Sequence, residues 1–313
     1  MKALITGGTG FVGLALGAEL AAQGATVTLA DVRTDAVSPG FAATVTRADL
    51  SSWPETMRLV KQAQPDVIFH TAALLSAAAE EVPLGAYQAN TSGTFHVLEA
   101  AVLFDVPQVV FLSSIASYGP GVADVVDEQV AQRPITVYGI TKVVGELLGE
   151  YYARRFGVDF RAARYPSIIG PGRGGGGASA YSSAMIEEPA RDRPYAIPVP
   201  PQTVMPLLYV DDAVRSLVDL AAASASQLSR RTYGIGGFSP TAGEVADAVR
   251  LHAPDARLEF APEPETTAIV ESWPRVLSGA AAAADWGWKP RFLLDETVRD
   301  FVGRVRAAGA MVS

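Results

Sequence analysis

The sequence contains no cysteine, which excludes disulfides, thiol nucleophiles and thiolate metal sites. Histidine is scarce. His70, His96 and His252 lie far apart and form no metal-ligand spacing, so no metal is expected. Long apolar runs are missing, and none approaches the ~20 residues of a membrane span. The alanine-rich stretch near Ala280 ends at Asp285. No block of like charge forms a tail. A net charge of −8 lacks the basic excess that a duplex nucleic-acid binder needs. The apolar stretch after Met1 is too short for a signal peptide. These absences lead to the expectation of a cytoplasmic protein that works on a small molecule, with neither nucleic acid nor membrane as partner.

What is present is apolar and periodic. With 313 residues, 49% of them hydrophobic, the chain can bury a core as one large domain or two intimate ones. Lys2–Thr6 is short, apolar and cut off by glycine, and predicts a buried strand. Phe11–Gln23 has helical spacing and ends at Gly24. Further strands are expected at Ala25–Ala30, Thr44–Thr46, Pro65–His70, Gln108–Ser114 and Val158–Arg164. Helices are expected at Trp53–Ala63, Tyr87–Phe104 and Val137–Phe156. Alternating strands and helices predict an α/β fold, a Rossmann-like doubly wound parallel sheet. After Arg164 the pattern loosens into glycine- and proline-rich segments (Ile168–Gly177, Tyr195–Pro206). Helices are expected there near Asp211–Ala223, Ala242–His252 and Asp295–Ala307. The organisation expected is a dinucleotide-binding domain over 1–165 and a smaller C-terminal α/β substrate domain over most of 166–313, with 205–235 returning to the first.

The opening "MKALITGGTGFVG" places Gly7, Gly10 and Gly13 between a strand and a helix. Glycine lets the backbone turn tightly and approach a pyrophosphate, and the helix N-terminus offers N–H groups and a positive dipole end. The plain alternative is a turn that only packs a helix on a strand. Asp31, at the end of the second strand, stands where an acid binds a ribose 2′-hydroxyl. Its carboxylate repels a 2′-phosphate and favours NAD over NADP, a preference that Arg33 weakens. Asp49, after the third strand, is a candidate for the adenine edge.

"TVYGITK" sets Tyr138 and Lys142 four apart, on one helix face. A free tyrosine titrates near ~10. A neighbouring ammonium and a nicotinamide cation both favour the phenolate, so the expectation is a lowered pKa and a usable base. Ser114 ends the fifth strand, at the sheet edge where ligands bind, and its hydroxyl can hold a substrate oxygen. Separately, a tyrosine–lysine pair is ordinary helix surface and a strand-end serine is an ordinary turn residue. Their order behind a glycine fingerprint is what points to chemistry.

Together these residues resemble the extended short-chain dehydrogenase/reductase superfamily, the NAD-dependent epimerase/dehydratase family. The pieces are "GGTGFVG", Asp31, "ADL" (Ala48–Leu50), "HTAA" (His70–Ala73), "NTSGT" (Asn90–Thr94), "LSSIASYG", Tyr138-x-x-x-Lys142 and "YVDDA" (Tyr209–Ala213). The resemblance implies an NAD-dependent enzyme in which Ser114, Tyr138 and Lys142 are catalytic and Lys142 also holds the nicotinamide ribose. It implies a cofactor groove of Gly7, Gly10, Phe11, Val12, Gly13, Asp31, Val32, Asp49, Leu50, Thr71, Ala72, Ala73, Asn90, Tyr138, Lys142, Tyr165 and Ile168. It also implies a homodimer through the helices around Tyr87–Phe104 and Val137–Phe156.

Sugar-nucleotide members of the family carry an Asn where this chain has Ser167, and an Arg before "YVDD" where it has Met205, Pro206 and two leucines. Losing both polar grips disfavours a diphosphate substrate. A narrower likeness runs to the short-chain type of L-threonine 3-dehydrogenase, through "HTAALLSAAAE", "RYPSIIG", the polyglycine loop, "MPLLYVDDA", "ESWP" and "DWGWKP". "ASAYSSAMIEEP" (Ala178–Pro189) is instead similar to D-erythronate dehydrogenases. The threonine enzymes carry an Asp where this chain has Ala180, and their loop threonines become Ala178 and Ser179, which puts threonine itself in doubt. The expected substrate pocket comprises Ser76, Ser114, Pro166, Ser179 and Tyr181, beside Tyr138. The four glycines Gly174–Gly177 read equally as a backbone nest for a carboxylate, a lid or plain surface loop. Arg173 is the nearest candidate for a charge-assisted carboxylate contact, with a side chain that faces water as the plain alternative. The expected activity is oxidation of a secondary alcohol in a small polar hydroxy acid or amino acid. A sugar-nucleotide epimerase or dehydratase, and a non-catalytic dinucleotide sensor, remain as alternatives.

Overall fold

The computed structural model, which describes residues 1–35, 38–175, 177 and 179–310, is built on seven parallel strands. They are β1 (Lys2–Thr6), β2 (Thr26–Asp31), β3 (Thr44–Arg47), β4 (Val67–His70), β5 (Gln108–Ser114), β6 (Asp159–Tyr165) and β7 (Thr232–Gly234). Their order across the sheet is 7-6-5-4-1-2-3. The winding reverses between β1 and β4, which pair in parallel from Ala3–Val67 to Thr6–His70. That junction opens a crevice beyond the strand C-termini, the place where such sheets bind ligands.

Central strands are buried on both faces. Every residue of β4 and all but the first of β6 are buried, as continuous apolar runs in parallel sheets require. Successive residues point to opposite faces. Leu4, Ile68 and Val109 join one core with Leu98, Ala101 and Phe160, whereas Ile5, Phe69 and Val110 join the other. The second core continues without a break into the C-terminal half. The sheet is flanked by α1 (Phe11–Ala22), α2 (Trp53–Ala63), α3 (Gly93–Leu103) and α4 (Val137–Phe156). Then come α5 (Tyr181–Ala190), α6 (Val210–Ala222), α7 (Ala242–His252) and α8 (Leu294–Ala310). Met185, Val245 and Phe301 carry the core through α5, α7 and α8. Small two-stranded parallel pairs complete this half, Ser167–Ile169 with Leu207–Tyr209 and Tyr195–Ile197 with Leu258–Phe260.

Two stretches differ from the sequence reading. The long helix expected over Tyr87–Phe104 starts as a π-helical turn, Tyr87–Ser92, before α3. The wider turn lets the Asn90 side chain bond to the Leu74 backbone while Thr94 Oγ1 donates to the Asn90 carbonyl at 2.5 Å. Helix α5 lies between the two glycine- and proline-rich segments, where the sequence reading placed no helix. Glycines precede it and Pro189 sits in its last turn, so the flanks masked the helical residues between. Of the glycine-rich loop, Gly176 and Ala178 lie outside the described residues.

Candidate active site

β1 ends at Thr6 and the chain turns at once. Gly7 has φ +67°, and a Cβ there would stand 2.7 Å from both Cα and N of Ala72. In the first turn of α1, a Cβ on Gly13 would lie 2.3 Å from the Gly7 carbonyl oxygen. These two glycines let three backbone segments meet. Gly10 differs, since a Cβ there would meet only the Gly7 carbonyl oxygen, at 3.2 Å. Gly10 is the N-cap of α1, no side chain caps that helix, and no acid sits in its first turn. The helix start with Phe11 and Val12, both half-buried, therefore suits an anion such as a pyrophosphate.

Asp31 closes β2 beside this turn. Its carboxylate accepts the Thr9 N–H at 3.3 Å and the Arg33 N–H at 3.2 Å, while Val32 is exposed. Asp49 Oδ1 accepts from the Ser51 N–H at 2.9 Å and the Ser51 hydroxyl at 2.7 Å. The adjoining Leu50 is buried against Gly93. The chain after β4 is tied down on both sides. The Thr71 hydroxyl donates to the Thr6 carbonyl at 2.7 Å, and Asn90 holds Leu74, so Ala72 and Ala73 are fixed over the glycine turn. Asn90 Nδ2 also donates to Thr141 Oγ1 at 3.1 Å, which links that loop to α4. His70 is buried between Thr6 Oγ1 (2.7 Å) and Thr94 Oγ1 (2.9 Å). Burial, with the charge of Lys142, lowers its pKa to about 3, so it is neutral and acts as structure.

Helix α4 carries the titratable pair. Thr136 caps it by accepting the Gly139 N–H at 3.1 Å. A Cβ on Gly139 would lie 2.1 Å from the Ala116 carbonyl oxygen, so this glycine lets the helix press onto the end of β5, where Ser114 sits. The Ser114 hydroxyl accepts the Ala116 N–H at 3.1 Å and lies near enough to the Tyr138 phenol to favour its charged form. Burial pushes Tyr138 up to about 12, against the Ser114 hydroxyl and the charge of Arg173. Lys142 donates to the Leu112 carbonyl at 2.6 Å and stands 5.4 Å from the Tyr138 ring centroid. Burial lowers its pKa to about 7, opposed by Glu146. The phenol is raised because desolvation outweighs its neighbours, among which the cation that lowers it is Arg173; the lowering expected from the sequence joins Lys142 to a nicotinamide cation.

A family model described as the NAD dependent epimerase/dehydratase family matches residues 3–236. The chain belongs to this family. Mitochondrial L-threonine 3-dehydrogenase of Bos taurus is 33% identical over 301 residues, 95% of this chain and 80% of the bovine one. The holo form of the GalE-like L-threonine dehydrogenase from Cupriavidus necator superposes with a TM-score of 0.92 at 31% identity, over 97% of this chain and all of that one. The L-threonine dehydrogenase of Clostridium difficile gives 0.92 at 32%, over 98% of each chain. This member of the epimerase/dehydratase family is an NAD-dependent dehydrogenase of the extended short-chain dehydrogenase/reductase type. Among the described residues no helix is long and apolar enough to cross a membrane.

Of the cofactor residues read from the sequence, the structure gathers Gly7, Gly10, Phe11, Val12, Gly13, Asp31, Thr71, Ala72 and Ala73 around the glycine turn. Ile168 is half-buried on its short strand. Tyr165 has a buried ring whose hydroxyl bonds to Ser216 Oγ at 2.6 Å, so its backbone is the part that a cofactor groove would use. Of the substrate residues, Ser114 lies near Tyr138, Ser179 accepts from Arg173 Nη2 at 2.9 Å, and Pro166 and Tyr181 are buried. Ser76 opens a short helix, Ser76–Glu81, whose Glu80 accepts the Val137 N–H at 2.7 Å. Sequence reasoning missed Gly139, whose place directly after the tyrosine signals close backbone approach. It also missed the buried pair behind Lys142, where Glu146 accepts from Arg164 at 2.9 and 2.7 Å and from Ser113 Oγ at 2.5 Å.

Proposed function

We propose that the protein oxidises the secondary alcohol of a small polar hydroxy acid or amino acid, with Tyr138 as proton acceptor. The observation that carries this reading is the close packing of the Tyr138 helix, through Gly139, onto the C-terminal end of the strand that bears Ser114. The relatives' activity as threonine dehydrogenases supports it. Tyr138, as phenolate, takes the hydroxyl proton, and Ser114 holds the oxygen as it becomes a carbonyl. NAD, when bound, supplies the acceptor for the hydride leaving the carbinol carbon. The glycine turn would hold its pyrophosphate, Asp31 its adenosine ribose, with NAD favoured over NADP, and Lys142 its nicotinamide ribose. Met205, Leu207 and Leu208 are buried ahead of Tyr209 and leave no grip there for a nucleotide diphosphate. NADH formation, followed by its near-ultraviolet absorbance across a panel of hydroxy acids and amino acids, tests the reading. Turnover of a UDP- or dTDP-sugar without net NADH would overturn it.

The same reading includes a homodimer and a cytoplasmic setting. Ile140, Leu147, Tyr151 and Phe156 expose apolar surface along α4, as do Phe95 and Leu103 on α3, and a partner's matching helices would cover it. A monomer by light scattering at micromolar concentration would remove the dimer.

A further inference from the structure

Arg173 is a partly buried cation without an acid. Other sheltered arginines of the chain are paired: Arg161 with Asp159, Arg164 with Glu146, Arg215 with Asp212, Arg230 with Glu128. Among the described residues, Arg173 has no carboxylate within ion-pair distance, and its one hydrogen bond runs from Nη2 to Ser179 Oγ at 2.9 Å. A guanidinium stripped of water without a counter-charge is costly.

The loop is shaped to keep it there. Gly172 and Gly174, at φ +75° and +67°, bracket Arg173 in left-handed conformations that suit glycine. The Gly172 N–H donates to both oxygens of Glu187, at 3.3 and 3.2 Å. Glu187 is in turn paired with Arg191 at 2.5 Å, so the acid that reaches this loop is already engaged. Glu80, whose carboxylate accepts the Val137 N–H beside Tyr138, is likewise engaged. A Cβ on Gly177 would stand 3.8 Å from Arg173 Nη2 and 4.0 Å from the Leu75 Cβ, so the guanidinium lies by the loop that Asn90 clasps, and the charges of Arg173 and Tyr138 act on one another. The loop cation thus belongs to the same neighbourhood as the Tyr138 and Ser114 hydroxyls.

We propose that Arg173 receives the carboxylate of the substrate, and that the site thereby selects hydroxy acids over amino acids of the same skeleton. The proposal rests on the reading that Tyr138 and Ser114 handle the reacting hydroxyl. A carboxylate there supplies the missing counter-charge through charge-assisted hydrogen bonds from a planar fork. An α-ammonium would come close to the same guanidinium, and like charges repel strongly where water is scarce.

The test compares 2,3-dihydroxybutyrate, its primary amide and threonine, which differ only in the carboxyl or α-substituent. NADH formation gives kcat/KM, and calorimetry on the NAD-loaded protein gives Kd. The wild type should prefer the dihydroxy acid over its amide by about 100-fold, the scale of a hydrogen-bonded charge pair, and should use threonine less well than the dihydroxy acid. In Arg173→Gln the acid-to-amide preference should fall to a few-fold, and the alkaline rise of kcat/KM should move to higher pH because Tyr138 loses its cation. Arg173→Lys should keep part of the preference and the original pH limb. Better use of threonine than of the dihydroxy acid by the wild type, or an unchanged acid-to-amide ratio in Arg173→Gln, would overturn the proposal. If no probe yields NADH, the dehydrogenase reading fails by itself and calorimetry still decides. Binding of the acid that weakens in Arg173→Gln sustains the proposal, whereas equal binding or none ends it.

Discussion

Asn90 grips Leu74 with both ends of its amide: Oδ1 accepts the Leu74 N–H at 2.7 Å and Nδ2 donates to the Leu74 carbonyl at 3.0 Å. This two-point clasp, sixteen residues apart in sequence, fixes the loop that roofs the glycine turn. Asn90→Leu keeps the volume but strands both Leu74 backbone groups. The expected result is a loss of about 2 kcal/mol in urea unfolding, since each buried unpaired group costs about 1–3 kcal/mol. Weaker NAD binding should accompany it, because Ala72 and Ala73 would lose their anchor. An unchanged NAD Kd would show that the clasp serves the fold alone.

Gly7→Ala tests the meeting of the two backbones more severely. The new methyl would press on Ala72 at 2.7 Å from a residue held at φ +67°. Strain of this kind costs about 1–3 kcal/mol. Thermal unfolding should therefore drop by several degrees and NAD affinity should fall with it. Gly10→Ala meets only a single oxygen at 3.2 Å, so it should be nearly neutral for stability and should reduce NAD affinity instead. Equal stability losses in the two variants would argue against distinct roles.

The sequence made the sheet, the glycine turn and the order of Ser114, Tyr138 and Lys142 legible because each depends on local periodicity or spacing. What it hid depends on distant partners. The π-turn at Tyr87–Ser92 follows from the Asn90–Leu74 clasp. The partner of the Tyr165 hydroxyl is Ser216, 51 residues later, which no local pattern reveals. The left-handed Gly172 and Gly174 beside Arg173, and the Gly172 N–H bonds to Glu187, are likewise invisible in one dimension. β7 is only three residues long, too short for any period to show.

Tyr138→Phe should abolish turnover while NAD binding survives, because one oxygen is removed and the ring remains. The pH profile carries the sign. Burial raises the Tyr138 pKa to about 12, and the phenolate is the active form, so kcat/KM for oxidation should climb with pH and still be climbing at alkaline values. A profile that levels off near neutrality would mean that bound cofactor, or another base, sets the limb.

His70 predicts acid sensitivity. Its folded pKa is about 3 against an ordinary 6.5. Between those values the unfolded chain binds a proton that the folded protein does not, so stability is complete above pH 6.5 and is lost as pH falls toward 3. The slope from this group is at most about 1.4 kcal/mol per pH unit. His70→Gln should be less stable at pH 7, through the changed bonds to Thr6 and Thr94, yet its stability should fall less steeply with acid across the same window. Parallel curves for the two proteins would remove His70 as the cause.

Glu146 and Arg164 form an ion pair almost without solvent, with side chains 3% and 6% exposed. Arg164 also donates to the Tyr118 hydroxyl at 2.7 Å, and Gln132 donates to Glu146 at 3.0 Å. Glu146→Gln leaves the guanidinium buried beside a neutral amide and should cost about 3–5 kcal/mol. Replacing both residues by methionine removes both desolvation penalties at once, so the double variant should be more stable than Glu146→Gln. Glu146 also favours the charged form of Lys142, so every variant lacking the carboxylate should titrate Lys142 still lower than about 7. Selective lysine labelling across pH checks that shift. A double variant less stable than the single would mean that the pair's bonds to Ser113, Tyr118 and Gln132 outweigh the cost of burying its charges.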